Sequence, residues 1–476
     1  MTHADPGSYS GPLPIQPPRQ GGSIWGRAYV WTTAGAIALV FLAAIQSLAV
    51  TTVMPAVADD LDGHALYAVA FSGMFATSVV GMVVAGAWSD RRGPVWPLLL
   101  ATAAFVAGLV IDAAAGSMEV LVAGRLVMGL GSGGQIVSLY VVVARVFPAN
   151  LHGRVMGAFS AAWVVPSLVG PALAGAVTEF FHWRWVFGGV AALAVVAIAM
   201  LAPALRRLGA GAPGEKTGGI GRRVGLAIAV AAGALVLSIA GEGAGESAGP
   251  GLAGVLVAVV ALAVVLLAMR PLLPRGAYRL GRGLPSVIVA RGLVAGSVFG
   301  AEIYVPYLLR EQYGFGPTWA GLGLTVSALT WAVSANFVGA RGDRLGNARI
   351  AVGGAALLIL ACAIVGASAV LDVPAWVPIL SWGFAGLGAG AVYPRLTVLS
   401  LAYSTRQNQG FNSAALQIAD AVGTASTMAI MGLVFVALGG MTSAGAFVAM
   451  FALAAGLAAL SVVPGLRLGH AAELRG

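Results

Sequence analysis

Gly86-Ala87-Trp88-Ser89-Asp90-Arg91-Arg92-Gly93 reads as a short, highly charged turn between two long apolar runs. It recurs as Gly339-Ala340-Arg341-Gly342-Asp343-Arg344-Leu345-Gly346. In both copies an Asp-Arg pair begins four residues after the first Gly, and a second Gly stands seven residues after it. A charged turn used twice in so apolar a chain implies two related halves. It also implies that the halves move against each other.

The 476 residues are 59% hydrophobic and 9% charged, with a mean hydropathy of +0.92. A soluble domain carries about a quarter charged residues, so this chain cannot cover its own surface in water. The apolar runs are unbroken rather than alternating, which selects helices over a barrel. The reading is an all-α polytopic membrane protein. A net charge of +9 suggests nucleic acid only in a soluble chain. Here the Arg residues concentrate in alternate loops, which is the positive-inside pattern, and no nucleic-acid partner is expected. The single Cys362 excludes an internal disulfide.

A span needs roughly 20 apolar residues. By that rule there are fourteen candidates, at 29–52, 66–88, 95–112, 119–143, 155–178, 184–203, 224–241, 252–269, 285–309, 317–340, 350–371, 375–401, 412–438 and 443–464. The first is too long for a signal peptide and no small-residue cleavage site follows it. With this count Arg91, Arg92, Arg145, Arg154, Arg222, Arg223, Arg341, Arg344 and Arg406 share one side, and only Arg184 and Arg310 lie in loops opposite. Both termini are therefore expected in the cytoplasm of a multi-pass protein of the cell inner (plasma) membrane. Asp59, Asp60, Asp62, Asp112, Glu242 and Glu246 are read as outer-loop acids.

The repeated turn follows the second and the tenth span. The halves are then six-helix bundles at 29–203 and 285–464, with a linker at 204–284 that carries two extra spans. Residues 1–28 and 465–476 are read as cytoplasmic tails, the first disordered. The extra spans hold no ionisable residue and are expected to face lipid without a transport role.

These motifs resemble those of the major facilitator superfamily, and more narrowly its fourteen-helix drug/proton antiporter branch, over residues of about 29–464. Gly86, Asp90, Arg91 and Gly93 match the family's charged loop, while Pro94 and Val95 replace its final basic pair. Arg125 followed by Gly129, Gly131, Gly133 and Gly134 matches its fourth-helix pattern, with Met128 where Gln is usual. Gly157, Gly170, Pro171 and Gly175 match the fifth-helix antiporter motif, with Pro166 and Ala174 as departures. Trp183-Arg184-Trp185-Val186-Phe187 stands where the branch carries such a run. The resemblance implies two pseudo-symmetric bundles, alternating access, and multidrug efflux by antiport. The branch also carries Asp in its first helix, at about Gln46 here. Gln holds no proton, so either coupling sits elsewhere or proton antiport is the wrong reading.

Charges inside the bilayer are costly and point to function. Glu302, Asp420 and Arg125 are the proton-coupling candidates, with Arg125 expected across the cavity from Glu302. Asp420 is expected to pair with Arg291 or Arg395. Gly86, Asp90, Arg91, Gly93, Asp343 and Arg344 are read as a conformational gate. Asp90 is expected at the start of the thirteenth span near Asn412 and Ser413, where free N–H groups attract an anion. Pro171 is expected to kink the fifth span. Gln46, Gln135, Tyr140, Trp163, Tyr304, Trp331, Asn336, Tyr393 and Gln417 are the substrate-cavity candidates, because aromatic and amide groups among apolar walls suit an amphipathic molecule. There is no Walker loop, metal-ligand cluster or nucleophile–base pair, so no enzymatic activity, metal or cofactor is expected. The reading is a monomeric exporter of a hydrophobic or amphipathic small molecule, driven by protons and embedded in lipid. Its rivals are a lipid or metabolite exporter, a proton symporter, and a non-transporting membrane receptor.

Overall fold

The computed structural model describes residues 23–62, 66–208, 220–242, 252–315 and 324–469. Among these residues every α or β element is a helix. Among the described residues eleven helical stretches are long and apolar enough to cross a membrane, which does not establish the count of fourteen. Large apolar side chains such as Val196, Val260 and Leu267 stand exposed at 58%, 61% and 71%, which water would not tolerate at this density and lipid does.

The first bundle runs α1 (Val30–Asp60), α2 (Tyr67–Arg92), α3 (Val95–Ala114), α4 (Met118–Val146), α5 (Ala149–Ala161), α6 (Val164–Phe180) and α7 (Arg184–Leu208). A hairpin follows, α8 (Ile220–Glu242) and α9 (Leu252–Met269). The second bundle runs α10 (Leu284–Glu302), α11 (Tyr304–Tyr313), α12 (Thr325–Leu345), α13 (Asn347–Ser368), α14 (Trp376–Ala402), α15 (Gln409–Ala437) and α16 (Ala444–Gly465).

Two expected spans are broken, and proline accounts for both breaks. The expected fifth span divides at Ala162–Trp163 into α5 and α6. Pro166 has no N–H for the Ala162 carbonyl four residues back. The break therefore lies there, whereas α6 runs on through Pro171, where the kink was expected. The expected ninth span divides at Ile303, between α10 and α11. Pro306 leaves the Glu302 carbonyl without its helical donor in the same way.

The repeated charged stretches are not free turns. They form the last turns of α2 and α12. Each helix stops at a glycine, Gly93 with φ 83° and Gly346 with φ 84°. That left-handed conformation costs Gly nothing and other residues about 1 kcal/mol or more.

The bundles meet through α2 against α15 and α5 against α12. Both crossings are glycine on glycine. A Cβ on Gly86 would stand 2.6 Å from the Gly410 carbonyl oxygen, and one on Gly339 would stand 2.6 Å from that of Gly153. Gly86 and Gly339 are the first residues of the two repeat copies, so the pseudo-twofold relation extends to the packing. Within the first bundle Gly129 and Gly133 of α4 lie against Met74 and Ser78 of α2, and Gly131 lies against Phe105 of α3. Small residues let membrane helices approach this closely and gain dispersion energy.

Candidate functional site

Asp90 leaves α2 and crosses the seam. Its carboxylate accepts the Gly410 N–H at 2.6 Å and the Phe411 N–H at 2.8 Å. These amides open α15, where no intrahelical acceptor exists. The two amides lie two residues and one residue before Asn412, the nearer of the two expected positions. Arg145, read from the sequence only as a loop charge, joins this inter-bundle contact: its Nη2 donates to the Ser89 carbonyl and to the Arg406 carbonyl in the other bundle, each at 3.2 Å.

The second copy behaves differently. Asp343 turns back into its own bundle, where its Oδ1 accepts from Arg395 Nη1 at 2.7 Å. Arg395 Nε also donates to Asn347 Oδ1 at 2.7 Å. Arg395 is therefore not the partner of Asp420, and Asp343 does not bridge the bundles. Arg344 is exposed.

Deeper along the seam, Arg291 Nε donates to Asp420 Oδ1 at 2.7 Å. Arg291 Nη1 reaches the Tyr393 carbonyl at 3.2 Å, and its guanidinium lies 3.6 Å from the centre of the Tyr393 ring. Tyr393 of α14, Trp331 of α12 and Phe299 of α10 form one aromatic cluster, with ring centres 4.9 Å, 6.1 Å and 6.2 Å apart. Tyr393 is within electrostatic reach of both Asp420 and Glu302. Arg291 and Glu302 are eleven residues apart, which puts them on one face of α10, about 16 Å apart along its axis. Tyr140 of α4 brings the first bundle to the same place, within reach of Arg291 and Asp420. Gln417 lies one turn before Asp420 on α15.

Not every candidate gathers here. Arg125 does not face Glu302. It is buried inside the first bundle, where its Nε donates to the Ala70 carbonyl at 3.0 Å and its charge faces Asp112. Asp112 is not an outer-loop acid: it lies in α3, fully buried, and neither oxygen has a hydrogen-bond partner among the described residues. Gln135 turns toward Thr102 of α3, 3.4 Å away. Gln46 is fully buried, and both amide atoms lack partners among the described residues. Tyr304 packs against Phe435, the rings tilted by 54° with centres 4.9 Å apart. Trp163 is 45% exposed at the α5–α6 break, and Asn336 is exposed with its amide on the Ala332 carbonyl.

The Trp183-Arg184 run has a defined task. Trp183 Nε1 and Arg184 Nη1 donate to Asp60 at 3.0 Å and 3.2 Å, and Arg184 Nη2 donates to the Ala115 carbonyl at 2.7 Å. The ends of α1 and α3 are thereby tied to the start of α7. The hydrogen bond from Trp183, followed by that from Arg184, holds the Asp60 carboxyl below its ordinary value.

The family model described as Major Facilitator Superfamily matches residues 36–301. A probable multidrug-efflux transporter of Mycobacterium tuberculosis is 29% identical over 381 residues, covering 77% of this chain and 79% of that protein. The MFS-type transporter gkaD of Penicillium citrinum is 28% identical over 158 residues, 32% of this chain; the match spans 27% of gkaD's own length. Among solved structures, a bacterial homologue of the iron transporter ferroportin in its outward-facing state superposes with a TM-score of 0.66, over 92% of this chain and 99% of that one, at 13% identity. That last likeness is one of fold alone.

Proposed function

The chain belongs to the Major Facilitator Superfamily, and we propose that it exports a hydrophobic or amphipathic small molecule across the cell membrane in exchange for protons. The observation that supports this reading most directly is the group of Arg291, Asp420, Tyr393 and Trp331, which Tyr140 of the first bundle approaches and whose Tyr393 is within electrostatic reach of Glu302. An aromatic wall takes an apolar or cationic body. The Arg291–Asp420 pair fixes the wall, and Glu302 supplies a carboxylate that forms no ion pair among the described residues. Glu302 also sits at the Ile303 break, where a change in its charge meets a backbone able to bend. The relative from Mycobacterium tuberculosis bears a multidrug-efflux name, which agrees in kind with such a substrate.

The charged-loop end is assigned to the cytoplasm from its Arg content. Asp90 on the α15 amides, the two glycine crossings and Arg145 hold that end closed, so the structure is read as the outward-facing member of an alternating pair. Arg125 and Asp112 are assigned to support inside the first bundle. Asp343 and Arg395 brace the second copy of the repeat.

The test is flux in vesicles of the purified protein, loaded with an amphipathic cationic dye. An imposed pH gradient should drive dye movement against its concentration gradient, and collapsing the gradient with an ionophore should stop it. Dye movement of equal rate with and without the gradient would remove proton antiport.

A further inference from the structure

The hairpin between the bundles divides its work. α9 turns outward, with Val257 and Leu267 exposed. α8 instead packs against α2 and α15, the two helices that Asp90 joins. In the first turn of α8, the Arg223 guanidinium lies 4.8 Å from the centre of the Phe411 ring. Phe411 is one of the two residues whose N–H groups hold Asp90, and the Arg223 charge reaches the Asp90 carboxylate as well. Leu272, just beyond the other end of the hairpin, is 2% exposed and lines the same groove as Arg223, Val83 and Ala414. The hairpin therefore enters the seam at both of its charged-side ends, which the expectation of purely lipid-facing spans did not include.

We propose that this hairpin is a clamp on the closed charged-loop end and that Arg223 is the positioning residue through which it acts. The inference rests on reading Asp90 as the closure. Opening separates α2 from α15, and α8 can follow only one of them. Because α8 packs more extensively on α2 than on α15, it stays with α2, and Arg223 then keeps the Asp90 charge and loses the Phe411 ring. A contact present in one conformer and lost in the other shifts the balance by its own free energy. An exposed cation–aromatic contact shifts such an equilibrium roughly two- to fivefold. The cavity of about 110 Å³ beside Arg223, bordered by Arg91 and Asn408, gives the guanidinium somewhere to withdraw.

The experiment uses the full chain carrying Cys362→Ser, with spin labels at Trp96 and Arg349. Both positions are exposed, one at the start of α3 and one at the start of α13, and neither touches the closure. Pulsed electron spin resonance in lipid nanodiscs reads the ratio of open to closed distances at that end. Arg223→Gln should raise the ratio roughly two- to fivefold, Arg223→Lys should raise it less, and Arg222→Gln should leave it alone. Phe411→Leu should match Arg223→Gln, and the double variant should add nothing to either single one. A wild-type ratio in Arg223→Gln overturns the clamp, and so do effects of Arg223→Gln and Phe411→Leu that simply sum. Asp90→Asn is the separate arm for the underlying reading. If it leaves the ratio unchanged while Arg223→Gln raises it, the Asp90 closure falls and the clamp stands on Phe411 alone.

Discussion

Gly86 and Gly410 lie backbone against backbone across the seam, with the Gly86 Cβ position 2.6 Å from the Gly410 carbonyl oxygen. Gly410 also gives its N–H to Asp90, one helical turn after Gly86 on the same helix. The close approach and the carboxylate cap are therefore one device: without the glycines the helices would stand too far apart for Asp90 to reach both amides.

A methyl group at this crossing has nowhere to go. Gly410→Ala should displace α15 from α2 and weaken closure by about 1–3 kcal/mol, the usual cost of overpacking. Gly153→Ala should do the same at the symmetric crossing. Inter-bundle distances measured by spin labels would show the open population rising in both. Unchanged distances together with an unchanged melting temperature would mean the crossings are not in close contact in the membrane.

The Arg291–Asp420 pair is expected to matter most when halved. Asp420→Asn leaves a buried guanidinium without its counter-charge, and breaking such a pair costs about 3–5 kcal/mol. The low end applies, because the Asp420 side chain is 22% exposed against 6% for Arg291. Melting in detergent should fall accordingly, while the charge-swapped double variant should recover much of the loss. A single Asp420→Asn variant that melts with the wild type sinks the pairing as a structural element.

Glu302→Gln separates coupling from binding. Dye accumulation driven by a pH gradient should disappear, whereas downhill dye exchange should persist at near the wild-type rate. Full gradient-driven accumulation in this variant would transfer the proton to another group.

Asp60 offers a pH signature outside the membrane. Its carboxyl is held below the ordinary 3.8 chiefly by the Trp183 hydrogen bond, with help from Arg184. A lowered folded value means the stabilisation is fully present above the unfolded value and is lost as pH falls through the folded one. The melting gap between wild type and Asp60→Asn should thus be present at pH 7 and shrink once the pH drops below about 4. A gap that widens on acidification would reverse the sign and discard the contact.

Much of this architecture is legible along the chain. Long uninterrupted apolar runs can satisfy their backbone in lipid only as helices, and the repeat of Gly86–Gly93 at Gly339–Gly346 exposes the two halves. The breaks at Ala162 and Ile303 were equally present in the sequence, at Pro166 and Pro306. The Asp90 cap was within reach because an acid at a loop and a free helix N-terminus are both local features.

The choice of partner was not within reach. Asp90 and Asp343 occupy equivalent places in the repeat, yet one crosses the seam and the other turns to Arg395. Position along a helix fixes height and leaves direction around the axis open, so nothing local separates an Arg125 that faces Glu302 from the Arg125 that points to Ala70 and Asp112 inside its own bundle. Sequence by itself determined what must be helical, where helices stop and how the halves repeat, because those follow from backbone hydrogen bonding and apolar length within one segment. Only the tertiary structure decided which charges meet, because an ion pair depends on the relative rotation of helices that are 52 residues apart for Asp343 and Arg395 and 129 for Arg291 and Asp420, and no local rule sets that angle.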